Sequence, residues 1–509
     1  MVNSLFTTSN REFTDMSIAR FSAAAALLLS ASAAPAAIDF TGVLTVPGAT
    51  TDLSGLPATE GNNRLSFGSD LIYDRATNTF YGITDRGPGG GLIDYAPRVN
   101  AFTLATNAAT GQALGFTLTD TTVFTQTDGT VFSGFNPQLR SGSVSNLGDS
   151  FDPEGLARLP NGNFLVADEY GPSVIEFTPT GQEVRRFTTP ANLVPKLADG
   201  TVDYVNGRGT IMTGRQDNRG FEGITVSNDG TKAYAIMQDA LVNEGRGGQG
   251  RRSPNLRIVE FDVATGQQTR QFIYTLEAYT SINSRIPGQP FTEDQQGRSI
   301  GASGIYALPD GSFLVIERDN RGLGVDDPTG AGLVGTKRIY RITLDGATDV
   351  SGISLAGTSV LPAGVTGVTK TLFLDINAAL VAAGLNPYEK IEGISLGAYL
   401  PDGGISLYLV TDNDFSVTQT GVFGAQTDVC TSGPGGTSSQ VAIGGACPTG
   451  QSLIPSAIYS FAVTGADAIG LRPAVPEPST WAMMLAGFGA IGGMMRRRRR
   501  GLGRIPASC

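Results

Sequence analysis

Between residues 38 and 471 the apolar residues fall in short alternating runs, broken repeatedly by Gly, Pro, Asn and Asp. A period near two predicts strands, and the breaks predict tight turns. One frame recurs. It is a carboxylate-glycine step, an apolar run, a turn containing glycine, a second apolar run, then further acid. Phe151–Tyr170 is the clearest copy, followed by Phe221–Asp239 and Ile391–Phe415. Ser303–Asp319 is a partial copy and Ser69–Gly87 a worn one. Each copy predicts a β-hairpin. A second pair of alternating runs follows three of them, at Ser173–Phe187, Leu256–Tyr274 and Arg338–Gly346. Four strands per unit, repeated, predict propeller blades. Pairing of the terminal runs Ala37–Thr45 and Ile458–Val463 is expected to close a further blade and remove an exposed edge. The expected fold is therefore an all-β, six-bladed β-propeller over residues 38–471, with long inserted loops. Helical periodicity is confined to the neighbourhood of Thr371–Ala383, after a strand-like start.

A hairpin brings its two open ends to one edge of the sheet. The acid before strand one and the acid after strand two then share that edge, and several copies pile carboxylates onto one rim. The first-strand acids are Glu154, Glu222 and Glu392, with Ser69 and Ser303 at that place in the other copies. The second strands end in Asp85, Asp168, Glu169, Asp239, Glu317, Asp319, Asp412 and Asp414. Such a rim suits Ca²⁺, which takes six to eight oxygens. The expected metal ligands are Glu154, Asp168, Glu169, Glu222, Asp239, Glu317, Asp319, Glu392, Asp412 and Asp414. The plainer alternative is that these acids cap hairpin ends or pair with Arg86, Arg219 and Arg318. Those arginines equally suit the oxygens of an anionic substrate.

Composition narrows the chemistry. The 509 residues include 68 glycines, three cysteines and no histidine, and the net charge is −10. An acidic body repels nucleic acid, which is set aside as a partner. Without histidine there is no His-ligated zinc or iron and no Ser-His catalysis. Gly393–Gly397 fits the Gly-x-Ser-x-Gly nucleophile pattern, but it opens a strand and has no His base. Cys430 and Cys447 flank a Gly/Ser/Thr-rich loop, and both a disulfide and two free thiols fit that spacing.

The ends carry targeting signals. Residues 1–37 hold a secretory signal, with Arg20 before the apolar Phe21–Leu29 and small residues at Ala34–Ala36. Residues 475–500 run from Val-Pro-Glu-Pro through apolar Trp481–Met495 to five arginines. This tail closely resembles the PEP-CTERM sorting signal. The resemblance implies export, recognition of Pro-Glu-Pro by an exosortase, transient anchoring by this segment, and a periplasmic, cell-surface or extracellular destination. Membrane contact is expected through this segment alone.

The Asp-Pro-Glu-Gly, Phe-Glu-Gly-Ile and Ile-Glu-Gly-Ile steps, the Ala-Asp-Glu-Tyr-Gly and Thr-Asp-Asn-Asp ends and the opening Thr84–Gly87 resemble the phytase-like family named for esterase-like activity of phytase. The likeness covers most of residues 65–463. It implies a propeller and a metal-dependent hydrolase of phosphate or related esters, acting through calcium-bound water. Glu222 and Glu392 would serve as carboxylate catalysts, and Arg86 and Arg318 would steady the transferred group. A non-catalytic, calcium-stabilised binding propeller of the cell surface or exopolysaccharide matrix is the competing expectation. A lactone-hydrolysing propeller shares the same metal logic. The small anionic ester, or the surface polysaccharide, is the expected partner.

Overall fold

A computed structural model describes residues 37–141, 143–419 and 425–473. The expected leader, Ala37 aside, and the sorting segment 475–500 lie outside the described residues. Five four-stranded antiparallel sheets form the blades. Blade I comprises Asp70–Asp74, Thr79–Ile83, Arg98–Thr106 and Ala113–Val123, from the axis outward. Blade II comprises Pro153–Arg158, Phe164–Asp168, Ser173–Phe177 and Glu183–Arg186. Blade III follows with Phe221–Val226, Lys232–Met237, Asn255–Asp262 and Gln267–Thr275. Blade IV is Ile300–Ala307, Phe313–Asp319, Lys337–Thr343 and Thr369–Asp375. Blade V is Lys390–Tyr399, Ile405–Asp412, Ser456–Thr464 and Ala37–Val46. The innermost strands lie side by side in a closed ring, I to II to III to IV to V and back to I.

The all-β propeller is the one the hairpin repeat predicts, and six four-stranded sheets are present. Their arrangement corrects the expected closure. The terminal strands do pair, with Phe40 opposite Phe461 and Val43 opposite Tyr459. They complete blade V instead of forming a blade of their own. The reason is an open edge. The Ile391–Asp412 hairpin supplies only two strands before the chain departs, and the returning C-terminal strand and then the N-terminal strand cover it. The sixth sheet is a satellite inserted at that departure. It is built from Val417–Gln419, Gln426–Thr431, Ser438–Ala442 and Ser452–Leu453. A Cys430–Cys447 disulfide ties it together, which decides between the two states the spacing allows. The strand-then-helix expectation near Thr371–Ala383 is met by Thr369–Asp375 and the helix Ile376–Ala382. Asp375 caps that helix by accepting the Ala378 amide hydrogen at 2.9 Å.

Between blades the strands bury apolar faces. Leu165, Phe221, Ile236, Phe272 and Val315 share one core, and Ile316, Ile394, Leu409 and Phe461 another. At the axis the spacing is tighter than side chains permit. A Cβ on Gly155 would stand 2.6 Å from the Ile224 nitrogen, one on Gly223 2.9 Å from the Gly304 Cα, and one on Gly304 2.7 Å from the Glu392 carbonyl. This is why the repeat keeps its glycine after the acid: backbone meets backbone there. Blade I has Asp70 at that place. Its buried carboxylate accepts the amide hydrogens of Leu156 at 2.7 Å and of Leu71 at 2.8 Å, stapling blade I to blade II. Gly223→Ala is expected to cost about 2–3 kcal/mol through this clash. Urea unfolding measures it, and a loss under 0.5 kcal/mol, within the usual spread of ~±0.5 kcal/mol for surface changes, would refute the tight ring.

The two ends of the propeller differ. Tight hairpin turns occupy one end, apart from the insertion between Thr343 and Thr369. The other long insertions, including the satellite sheet, lie at the opposite end, beside the acids. Ala37 pairs with Thr464, and Arg472 donates to the Gly403 carbonyl at 2.6 Å. Both ends of the described chain therefore sit on the turn face, opposite the acids.

Candidate metal centre

Four of the five inner strands enter the ring through a β-bulge. The register slips between Pro153 and Gly155, Phe221 and Gly223, Ala302 and Gly304, and Ile391 and Gly393. The extra residue in each is Glu154, Glu222, Ser303 or Glu392. A bulge leaves that residue out of the ladder and re-aims its side chain, here toward the channel mouth. Along the second strands the matching positions are Asp85, Glu169, Gln238, Arg318 and Asp412. The repeated acid-glycine step is thus a device for building two rings of polar side chains around one opening.

Strand alternation decides which acids reach it, because neighbouring residues face opposite ways. Asp168 and Glu317 stand one position earlier than Glu169 and Arg318 and face away. Asp168 accepts the amide hydrogens of Asp152, Tyr170 and Gly171, each at 3.1 Å, and the Ser173 hydroxyl at 2.9 Å. Glu317 accepts the Tyr274 hydroxyl at 2.6 Å and the Glu277 amide hydrogen at 3.0 Å, and pairs with Lys370. Asp319 accepts the amides of Gly335 at 2.6 Å and Thr336 at 3.0 Å and pairs with Lys337 at 2.9 Å. These three expected ligands sit apart from the two carboxylate groups and anchor local backbone and side chains.

The others converge. Carboxylate oxygens of Asp152, Glu154 and Glu169 lie within 4.8 Å of one another, and so do those of Asp85, Asp412 and Asp414. Between the two groups Arg318 takes Glu392 and Ser303 as hydrogen-bond partners and stands 3.6 Å from Glu222. Gln238 also donates to Glu222. Asp239 pairs with Arg219 at 3.0 Å, and Arg86 pairs with Asp152 at 3.2 Å and reaches Asn218. Lys390 contacts Asp414 at 2.5 Å and Asp412 at 3.2 Å. Asp152, Lys390 and Gln238 escape sequence reasoning. Asp152 and Gln238 lie inside copies of the repeat, and Lys390 stands just before Ile391, but the frame does not single them out.

Acids outnumber cations here, and burial makes this costly. Burial pushes the Asp152 carboxyl up to about 7 even though Arg86 opposes it. Glu392 is likewise pushed up to about 7 by burial, against Arg318 and Lys390. Glu154, Glu222 and Asp85 are raised well above the usual carboxylate range, first by burial and then by neighbouring acids. Asp239 rises to about 6 by burial, with Arg219 opposing. Among the described residues, four buried carboxylate oxygens have no hydrogen-bond donor: Glu169 Oε1, Glu222 Oε2, Asp239 Oδ1 and Glu392 Oε2. Each such orphan costs roughly 1–3 kcal/mol or more unless something positive joins it. An all-oxygen set of this kind fits a hard divalent cation.

Larger cavities lie elsewhere. One of about 360 Å³ sits between blade V and the satellite sheet, and one of about 500 Å³ at the turn face. Neither touches the carboxylate rings. Ser395 of the Gly-x-Ser-x-Gly match is buried within the inner strand of blade V, hydrogen-bonded to the Leu396 carbonyl at 3.4 Å, with no base beside it.

Comparison with known proteins follows the same lines. A family model for esterase-like activity of phytase matches residues 64–415, and one for the PEP-CTERM protein-sorting motif matches residues 474–500. The sorting motif marks the protein for export and exosortase recognition. No helix among the described residues is long and apolar enough to cross a membrane. An uncharacterized secreted protein of Arthroderma benhamiae is 31% identical over 185 residues, 34% of this chain and 35% of that relative. The match thus spans about a third of the relative's length. Among solved structures, a luciferin-regenerating enzyme is 10% identical over 86% of this chain and 99% of its own, with a TM-score of 0.29. Regucalcin, a calcium-binding protein from Agrobacterium tumefaciens strain C58, is 13% identical over 73% and 86%, with a TM-score of 0.27. Scores this low bear on neither fold nor chemistry, and the propeller stands on its strand pairing. The family match, by contrast, runs through every inner strand of the ring and both carboxylate groups: the chain belongs to the phytase-like family described as esterase-like activity of phytase.

Proposed function

We propose that this exported propeller hydrolyses small anionic esters, phosphate esters first among them, at a calcium ion held by the acidic mouth. The observation that carries the reading is the set of buried carboxylate oxygens without donors, on Glu169, Glu222, Asp239 and Glu392. Asp152, Glu154 and Glu169 would hold the ion, because their oxygens converge and no Lys or Arg of the described residues pairs with Glu154. The cation would supply positive charge to the ester and to water. Glu392, its Oε2 free and its carboxyl near 7, would take the proton from that water at neutral pH. Glu222, across Arg318, would return a proton to the leaving group. Arg318 would hold the two carboxylates apart and present its remaining face to the anion.

One observation favours the second reading, a calcium-stabilised binding propeller. Both arginines expected to grip a phosphate are already engaged, Arg86 by Asp152 and Asn218 and Arg318 by Glu392, Ser303 and Glu222. Hydrolysis of para-nitrophenyl phosphate and para-nitrophenyl acetate, measured with calcium and with chelator, separates them. Calcium-dependent turnover that Glu392→Gln abolishes without lowering the melting temperature supports the enzyme. No turnover of either ester with any divalent ion retires it and leaves the binding propeller.

A further inference from the structure

The mouth holds two carboxylate triads, but in only one of them does a single cation face all three members. The Lys390 Nζ lies 2.5 Å from Asp414, 3.2 Å from Asp412 and 4.0 Å from Asp85, so one ammonium faces all three members of the second triad. Three N–H donors facing three carboxylates is the arrangement of a small cation in its cage. Lys390 opens the inner strand of blade V, where it stands opposite Asp412, which fixes the ammonium in that position. The first triad has no equivalent. Arg86 meets Asp152 alone at 3.2 Å, and Arg219 stays 3.9 Å from Glu169.

A further acceptor waits beside the filled triad. Glu392 follows Lys390 by two residues on the same strand, is 2% exposed, and feels the charges of Asp412 and Asp414. Its Oε2 has no hydrogen-bond donor. The third member of the triad is delivered by three successive residues with left-handed backbone, Asp414, Phe415 and Ser416, at φ of 47°, 53° and 58°. Arg64 holds that turn through the Phe415 carbonyl at 3.1 Å while paired with Asp428 of the satellite sheet at 2.6 Å.

We infer that Lys390 is a built-in cation occupying the second triad, so that the mouth takes one divalent ion, and that removing the ammonium opens a second divalent-cation site formed by Asp85, Asp412, Asp414 and Glu392. The divalent part of this inference rests on the reading of the first triad given above. The ammonium sets the number of metal ions: it keeps one positive charge inside the second triad, whatever the calcium concentration.

Calcium chloride titrated calorimetrically into chelator-treated protein tests this by counting ions. The wild type and Lys390→Arg are expected to bind one, Lys390→Met two, and Lys390→Met/Asp414→Asn one. In Lys390→Met the apo melting temperature should fall, and calcium should raise it by more than it does in the wild type. If Lys390→Met binds one ion with wild-type affinity, the inference is overturned while the first-triad reading stands. If the wild type binds none and Lys390→Met one, the role of the ammonium stands, while the first-triad reading and the one-ion count that rests on it fail. Two ions in the wild type, or none in either protein, overturn the inference. A Lys390→Met protein that folds only in calcium is counted by metal analysis after gel filtration in calcium. One that stays unfolded there also overturns the inference, since an ion able to replace the ammonium would restore the fold.

Discussion

Arg318→Met is expected to lose about 3–5 kcal/mol of stability at pH 8 in calcium-free buffer, and far less at pH 5. Arg318 is the one positive charge shared by Glu222 and Glu392, and all three side chains are largely buried. Removing it strands two acids in a low-dielectric mouth. Burial, and then neighbouring acids, already raise both carboxyls against the pull of Arg318, to about 7 for Glu392. At pH 5 they carry protons and need no counter-charge. At pH 8 they must ionise unpaired or hold their protons against the solvent, and both routes cost the folded state. Urea melts of the wild type and variant at the two pH values measure the difference. An equal loss at both would mean that Arg318 acts by packing and not by charge.

The wild-type protein, freed of calcium, is expected to lose stability as pH rises from about 5 to 8. The sign follows from proton counting. Between its ordinary value of 4.5 and about 7, the folded Glu392 carboxyl keeps a proton that the unfolded chain releases. The native state binds more protons there, so stability falls with rising pH until the folded carboxyl has ionised. For Glu392 alone the drop is on the order of 3 kcal/mol, and Asp152, also near 7, acts in the same direction. Calcium at the proposed site would bind the ionised form and should flatten this slope. At a thousandfold excess over its Kd it adds about 4 kcal/mol. Melting curves from pH 5 to 8, with calcium and with chelator, carry the test. Parallel curves in the two conditions would exclude an ion bound to the raised carboxylates.

Much of this arrangement is legible in the sequence because one physical device repeats. The acid-glycine step marks a bulge and a close backbone approach, so Glu154, Glu222 and Glu392 can be placed on the mouth before any coordinates exist. What the motif leaves open is phase. Asp168 and Glu169 are adjacent letters, yet strand alternation sends one into the blade and the other to the channel. Glu317 and Arg318 repeat the ambiguity, and the bulge upstream shifts the count by one residue. The blade closure escapes for another reason. The terminal strands show that they need partners, but not that blade V lacks its outer half, because the satellite sheet interrupts the sequence between its second and third strands. Lys390 is silent because a lysine before a strand is ordinary; only the carboxylates from two other segments give it a role.

Pro473 is the last residue before the sorting motif, and it leaves the propeller beside the Gly403 turn. A tether attached there holds the molecule by its floor. The mouth lies at the opposite end of the propeller from that attachment. Export and use need not be separate stages: a molecule still fastened by its tail presents the same opening to passing solutes as one that has been cut free.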